Sequence, residues 1–435
     1  MPLGAAFFLP RDIDADLDRW LEPFLDATGR STRRKMAPLY LRGLLSSGGR
    51  KSIQPMAERL GLSGHDQLHH FISSPAWDDA PLWRVLAEQV DRQIGGEGAV
   101  LVVDDTGLPK KGALSVGVAR QYCGALGKVA NCQVLVSLTL ARGAVPLPVG
   151  LRLFLPPAWT DDPRRCEAAG VPEGARTAQS NPRLAIPPSY AWRNLEPASP
   201  AIALAEIDRV REAGLRFSCV LADAGFGSSP AFRHGLDRRE LAWAVGIACT
   251  QLVYPTTVRL RPARTPSGRA AKHPVPSRPP RSAAETLDKR RWRRITWRNG
   301  TKGPLNARFA AVRVRVADGP FNAEGTRLPG KELWLIGEWR DSDEKKYYLS
   351  NLPRRTSLRR LVAAVKARWS CEQVHRQLKQ ELGLGDFEGR SWTGLHRHAL
   401  MTCIAFAYLQ HRRLKTAGRG KKAGPQRPAA TAVAA

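Results

Sequence analysis

Apolar positions recur along the first hundred residues with the 3.6-residue period of helices that bury one face. Leu17, Trp20, Leu21, Phe24 and Leu25 mark such a face, with Pro23 set to kink it. Arg34 to Ser46 repeats the pattern, and IQPMAERLGLSGHDQLHHFISS reads as helix, Gly-Leu-Ser turn, helix. That segment fits a helix-turn-helix, which would lay His65 to Ser73 in a DNA groove; it fits an ordinary helical hairpin equally well. From Gly98 the pattern changes to strands. AVLVVDDT, NCQVLVSLTLA and VPLPVGLRLFLP are Val- and Leu-rich runs, the first ending in two acids. A Pro-, Arg- and Asp-rich stretch over 157–200 reads as a long surface loop. Then follow a helix from Pro200 to Ala213, a buried strand in FSCVLADAGFG, a helix near Pro230 to Leu236 and a strand in LAWAVGIA. This β-β-β-α-β-α-β order predicts a mixed α/β sheet covered by helices.

Between Tyr254 and Arg315 the chain holds 17 Lys and Arg against two acids, Glu285 and Asp288, with many prolines. This predicts a basic insertion or long loop, partly flexible. Strands resume at ELWLIGEW and KKYYLSNLP. Ser357 to Leu382 carries the longest helical pattern, and a further helix is expected from about Leu395 to Leu414. The expected organisation is a helical DNA-binding region (1–95), the first part of a core (96–253), a basic insertion (254–330), completion of the core (331–414) and a disordered basic, then Ala-rich tail (415–435).

Charge narrows the function. Lys and Arg total 68 against 39 Asp and Glu, a formal charge of +29 over 435 residues. Such an excess points to a polyanionic partner, with nucleic acid the default, since each neutralised phosphate releases a counterion. No apolar run reaches the ~18 residues of a membrane span, and the N-terminal stretch lacks a basic leader. A chain without membrane association, in a reducing cytoplasm, is the expectation. The seven cysteines are odd in number and form no CxxC, so neither a disulfide framework nor a zinc ribbon is expected.

The few acids then carry weight. Asp104 and Asp105 end the first strand, Asp223 ends the fourth, and Glu372 lies within the long helix. Strand-terminal carboxylates at the C-terminal edge of an α/β sheet face the crevice where ligands bind. Joined by a helix carboxylate, they suit hard divalent cations, which take oxygen ligands. An acid at a strand end also serves as a turn residue or helix N-cap, so each position alone is weak.

The segments LVVDDTGLPKKG, SVGVARQYCGALGKVANCQVLVSL, VLADAGFG and RWSCEQVHRQLKQELGLGDFEGRSWTGLHRH resemble the DDE transposases of bacterial insertion sequences, and within them insertion-sequence family 701. The likeness runs from about Leu17 to about Leu409 and is weakest near 255–300 and in the tail. It implies an RNase H-like α/β core with an insertion before the last catalytic helix, and phosphodiester hydrolysis and strand transfer at the element's ends. It also implies two Mg²⁺ ions, with Mn²⁺ as substitute, and a homodimer on terminal inverted repeats and target DNA. By the same resemblance Asp104, Asp223 and Glu372 are the catalytic, metal-binding acids. Arg368 and Lys379 occupy the Arg and Lys positions of the family's Tyr-Arg-Glu-Lys signature, whose Tyr position holds Val365 here. At offsets of four and seven these residues share one helix side, where the two cations suit the phosphates of the scissile strand. The family's Asp-x-Thr pattern selects Asp104 over Asp105, and strand alternation favours the same choice.

Lys110 and Lys111 are candidate phosphate contacts, or solvated turn lysines. The glycines of QYCGALGKVANCQ lack P-loop spacing, which excludes that NTPase class. His396 and His398 read as helix-surface or DNA-facing rather than a metal pair, since i,i+2 positions diverge on a helix. Trp292 and Trp297, set among arginines, suit either stacking on bases or anchoring of the insertion. Two other functions fit the same residues: a noncatalytic DNA-binding protein derived from a transposase, and an RNase H-like nuclease.

Overall fold

The computed structural model describes residues 11–179, 200–262, 274–300, 303–322 and 325–420. Five helices come first, Arg11–Thr28, Ser31–Leu45, Ile53–Arg59, Asp66–Ser73 and Ala80–Ile94. Their apolar stripes, including Leu17, Leu21, Phe24, Tyr40, Leu41 and Trp83, are buried in a core shared with the C-terminal helix Trp392–Gly420. Arg397 fastens this layer. It is 1% exposed, lies over the Trp77 ring at 3.9 Å and donates to the carbonyls of Ile72, Ser74 and Trp77.

The mixed sheet expected for the core is present. Its strands are β1 (Ala99–Pro109), β2 (Ala119–Cys123), β3 (Lys128–Arg142), β4 (Val145–Phe154), β5 (Cys219–Ala222) and β6 (Trp243–Ile247). β3 pairs antiparallel with β1 and β4, whereas β1–β5 and β5–β6 are parallel. β1 is therefore central, and its run of Leu101, Val102 and Val103 is buried on both faces, as an interior strand requires.

Of the stretch between Tyr254 and Arg315, expected to be a basic insertion or long loop, the described residues are largely strand. β7 (Leu252–Pro255), β8 (Leu260–Arg261), β9 (Val275–Pro276), β10 (Arg281–Ser282), β11 (Arg293–Gly300), β12 (Gly303–Phe321), β13 (Arg327–Trp339) and β14 (Lys345–Ser350) follow β6. β14 pairs with β6, so this block lengthens the core sheet in the order β6-β14-β13-β12-β7-β10, with β11 flanking β12; β8 and β9 form a separate pair. In β11, Ile295 and Trp297 alternate with exposed Arg294 and Thr296, a half-buried strand whose arginines mask its period. Trp297 meets Phe309 edge-on at 5.8 Å, and Trp292 meets Trp339 at 5.7 Å, so both tryptophans anchor the insertion.

Two other differences bear on the site. The 157–200 stretch contains short helices up to Gln179, and its remainder to 199 lies outside the described residues, as does the tail from 421. The helix expected over 357–382 is two, Leu358–Ala367 and Trp369–Gln380, broken at Arg368. Among the described residues no helix is long and apolar enough to cross a membrane.

Candidate active site

Three elements converge beside the middle of β1: the first strand, expected to end at Asp104 and Asp105, continues to Pro109 because β3 stays paired with it. Val103 lies opposite Ala222, the last residue of β5, in the parallel β1–β5 pair, so Asp223 leaves β5 beside Asp104, which stays within β1. Asp223 also caps the short helix Ala224–Gly227, its Oδ1 accepting from the amides of Gly225 at 2.9 Å and Phe226 at 3.3 Å. Gly246 on β6 allows this turn to sit close, because a Cβ there would come within 2.8 Å of the Ala224 nitrogen.

The third element is the Trp369–Gln380 helix, which roofs the β1–β3 face. Asp104 is paired with Ser137 of β3, and residues directly opposite in an antiparallel pair share a face. Ser137 Oγ is 2.7 Å from His375 Nε2, and Thr139 Oγ1 is 3.5 Å from Cys371 Sγ. Asp104 therefore lies under this helix, at 8% exposure.

Arg368 joins the acids. Its Nη1 donates to Asp104 Oδ2 at 2.7 Å, and its Nη2 donates to Glu372 Oε1 at 3.1 Å. Glu372 itself is largely exposed, with 66% of its side chain accessible. Burial raises the Asp104 carboxyl well above its ordinary range; Arg368 opposes this, while Asp223 and Asp105 add to it. Burial and Asp223 likewise push Asp105 up to about 7 against Arg368 and Lys379. Burial disfavours the Arg368 charge, but Asp104, Asp223 and Glu372 more than restore it. One guanidinium thus holds an acid cluster still short of positive charge. Oxygen donors lacking countercharge are the chemistry that fits a hard divalent cation.

Lys379 also turns inward. It is partly buried near Asp105 and Cys123, and burial lowers its pKa. Lys110 is spent on structure: its Nζ donates to Phe387 O at 2.7 Å, and burial followed by Arg50 lowers its pKa to about 8. Lys111 is exposed. His396 and His398, expected on the surface, are 2% and 1% exposed. His396 Nε2 accepts from the Leu153 amide, and His398 bonds Tyr40 and the Gly383 carbonyl, because their helix is packed on every side. Sequence reading missed Cys371 and His375, which flank Glu372 at an i,i+4 spacing that was visible.

A family model described as DDE superfamily endonuclease matches residues 23–304 of this chain. The chain belongs to the DDE superfamily endonucleases. The matched segment of this DDE chain includes Asp104 and Asp223 and ends before Glu372. It is similar to the probable transposase for insertion sequence element IS701 of Microchaete diplosiphon, at 27% identity over 212 residues. That alignment covers 48% of each chain, so the DDE chain spans about half the length of this curated relative. Among solved structures it is similar to the piggyBac transposase synaptic complex with hairpin DNA, at 10% identity and a TM-score of 0.40 over 94% of this chain and 74% of the other.

Proposed function

We propose that this chain is a DNA transposase that hydrolyses phosphodiesters and transfers strands at the ends of its own insertion sequence. The observation that carries the reading is the meeting of the Asp104, Asp223 and Glu372 carboxylates around Arg368. Asp104, Asp223 and Glu372 would hold two Mg²⁺ ions, for which Mn²⁺ can substitute. Bound there, the cations supply activation of a water or 3′-hydroxyl nucleophile and neutralise charge developing on the phosphodiester. The protein's own part is positional. Arg368 and Lys379 hold the acids near one another and offer cations to the scissile strand, and Lys111 offers a further one at the rim. The excess of basic residues binds duplex DNA without reading sequence.

In this reading residues 1–95 form a helical DNA-binding region, 96–253 and 331–414 the catalytic core, 254–330 a basic insertion and 415–435 a basic tail. His65, Gln67, His69 and His70 form the exposed face of the Asp66–Ser73 helix, which suits groove contact. Two element ends must be cut together, which calls for a homodimer on inverted repeats and target DNA in the bacterial cytoplasm. The test is cleavage of labelled inverted-repeat DNA with Mg²⁺. Nicking at the element end is expected. Binding without any nicking would support the noncatalytic reading, and preferential cutting of structured RNA the nuclease reading.

A further inference from the structure

We infer that Asp104, Cys371 and His375 form a zinc-binding site beneath the acid cluster, sharing only Asp104 with the site proposed for magnesium. The three ligand atoms lie within 4.8 Å of one another and all three residues are buried. Cys371 and His375 stand four residues apart on one helix, so both side chains project from the same face. This is the spacing at which two helix residues share a zinc ion in the His-Glu-x-x-His pattern; here the run is Cys371-Glu372-Gln373-Val374-His375. Asp104 reaches the pair from β1, across from Ser137.

The dimensions fit. Tetrahedral zinc at about 2.3 Å from sulfur and about 2.0 Å from nitrogen sets those two atoms roughly 3.5 Å apart. Cys371 Sγ and His375 Nε2 are 3.4 Å apart. Soft sulfur beside imidazole selects zinc over magnesium, which prefers oxygen. Zinc on His375 Nε2 would replace the hydrogen bond that this atom makes with Ser137 Oγ at 2.7 Å, and a water would complete the coordination. Binding releases to solvent the Cys371 thiol proton and any proton that Asp104 carries, and leaves thiolate and carboxylate on the metal. Asp104 belongs to both ligand sets, so zinc removes it from the cluster proposed to hold magnesium. That consequence, inhibition by zinc, rests on the proposed function; the binding of zinc does not.

Cobalt(II) reports the site directly. Full-length protein titrated with cobalt should take up about one equivalent, with tetrahedral visible bands and a near-ultraviolet thiolate-to-cobalt charge-transfer band, all displaced by zinc. Cys371→Ser should lose the charge-transfer band and weaken zinc at least about 100-fold, the upper end of what even an outer-shell partner costs. Cys249→Ser, at the exposed cysteine, should keep both. No charge-transfer band in the wild type, or one that survives Cys371→Ser, overturns the site. In the nicking assay, zinc should then inhibit the wild type and spare Cys371→Ser. A cobalt band in a protein that never nicks DNA would uphold the zinc site and refute the transposase reading instead.

Discussion

Arg368 and Asp104, 264 positions apart in sequence, meet at 2.7 Å where a helix break faces the middle of the central strand. The same guanidinium reaches Glu372 at 3.1 Å. Burial, Asp223 and Asp105 push Asp104 toward protonation, and Arg368 opposes them.

Removing that cation should destabilise the protein most when no divalent ion is present. Arg368→Met keeps the aliphatic stem and deletes the charge. Breaking a buried pair costs about 3–5 kcal/mol, but Asp104 can take up a proton, so a loss of about 2 kcal/mol is expected. Thermal unfolding with and without Mg²⁺ measures it. A smaller loss with Mg²⁺ is predicted, and equal losses would mean that the cation does not reach these acids.

Asp104 and Asp105 should differ sharply. Asp104 faces the roofing helix and takes the Arg368 Nη1 hydrogen bond, whereas Asp105 lies near Asp223 and Lys379 without sharing that bond. Asp104→Asn should abolish Mg²⁺-dependent nicking in single turnover. Asp105→Asn should cost only a few-fold, through altered outer-shell hydrogen bonds. An inactive Asp105→Asn beside an active Asp104→Asn would reverse the choice.

Much of this was legible in the chain. AVLVVDDT and VLADAGFG are apolar runs closed by acids, and a central parallel pair of strands brings their ends together. The insertion was harder to read because arginines occupy the exposed positions of β11 and hide the alternation of Ile295 and Trp297. His396 and His398 diverge on their helix as expected, yet both are buried, since Tyr40, Gly383 and Leu153 approach that helix from different sides. The break at Arg368 left no trace in the sequence, because the apolar period continues through it.

The two neighbouring lysines should separate by assay. Lys110 donates to the carbonyls of Phe387 and Gly385, so Lys110→Ala should lower the melting temperature and leave the salt dependence of DNA binding unchanged. Lys111 is exposed, and Lys111→Ala should reduce the slope of log K against log[salt] by about 0.9. The opposite pattern would return Lys110 to the DNA surface.

Glu206 sets an acid limit on stability. Burial raises its pKa, but Arg152 and Arg209 together hold it down at about 2, below its ordinary 4.5. A carboxylate depressed on folding stabilises fully above the unfolded value and loses that contribution as pH falls through the folded one. The contribution is about 3 kcal/mol at neutral pH by that linkage. Urea unfolding should show Glu206→Gln costing this much at neutral pH and progressively less below pH 4.5. A gap that stays constant with pH would remove the ion pairs as its cause.

Asp223→Asn bears most directly on the catalytic reading, because it removes one carboxylate charge from the cluster and none of the basic surface. Labelled inverted-repeat DNA would be offered to wild type and variant, with Ca²⁺ to measure binding and Mg²⁺ to measure nicking. The acid cluster as described predicts binding within about twofold, since a surface many phosphates wide is untouched, and no detectable nicking. An Asp223→Asn protein that nicks the element end at near wild-type rate would contradict it.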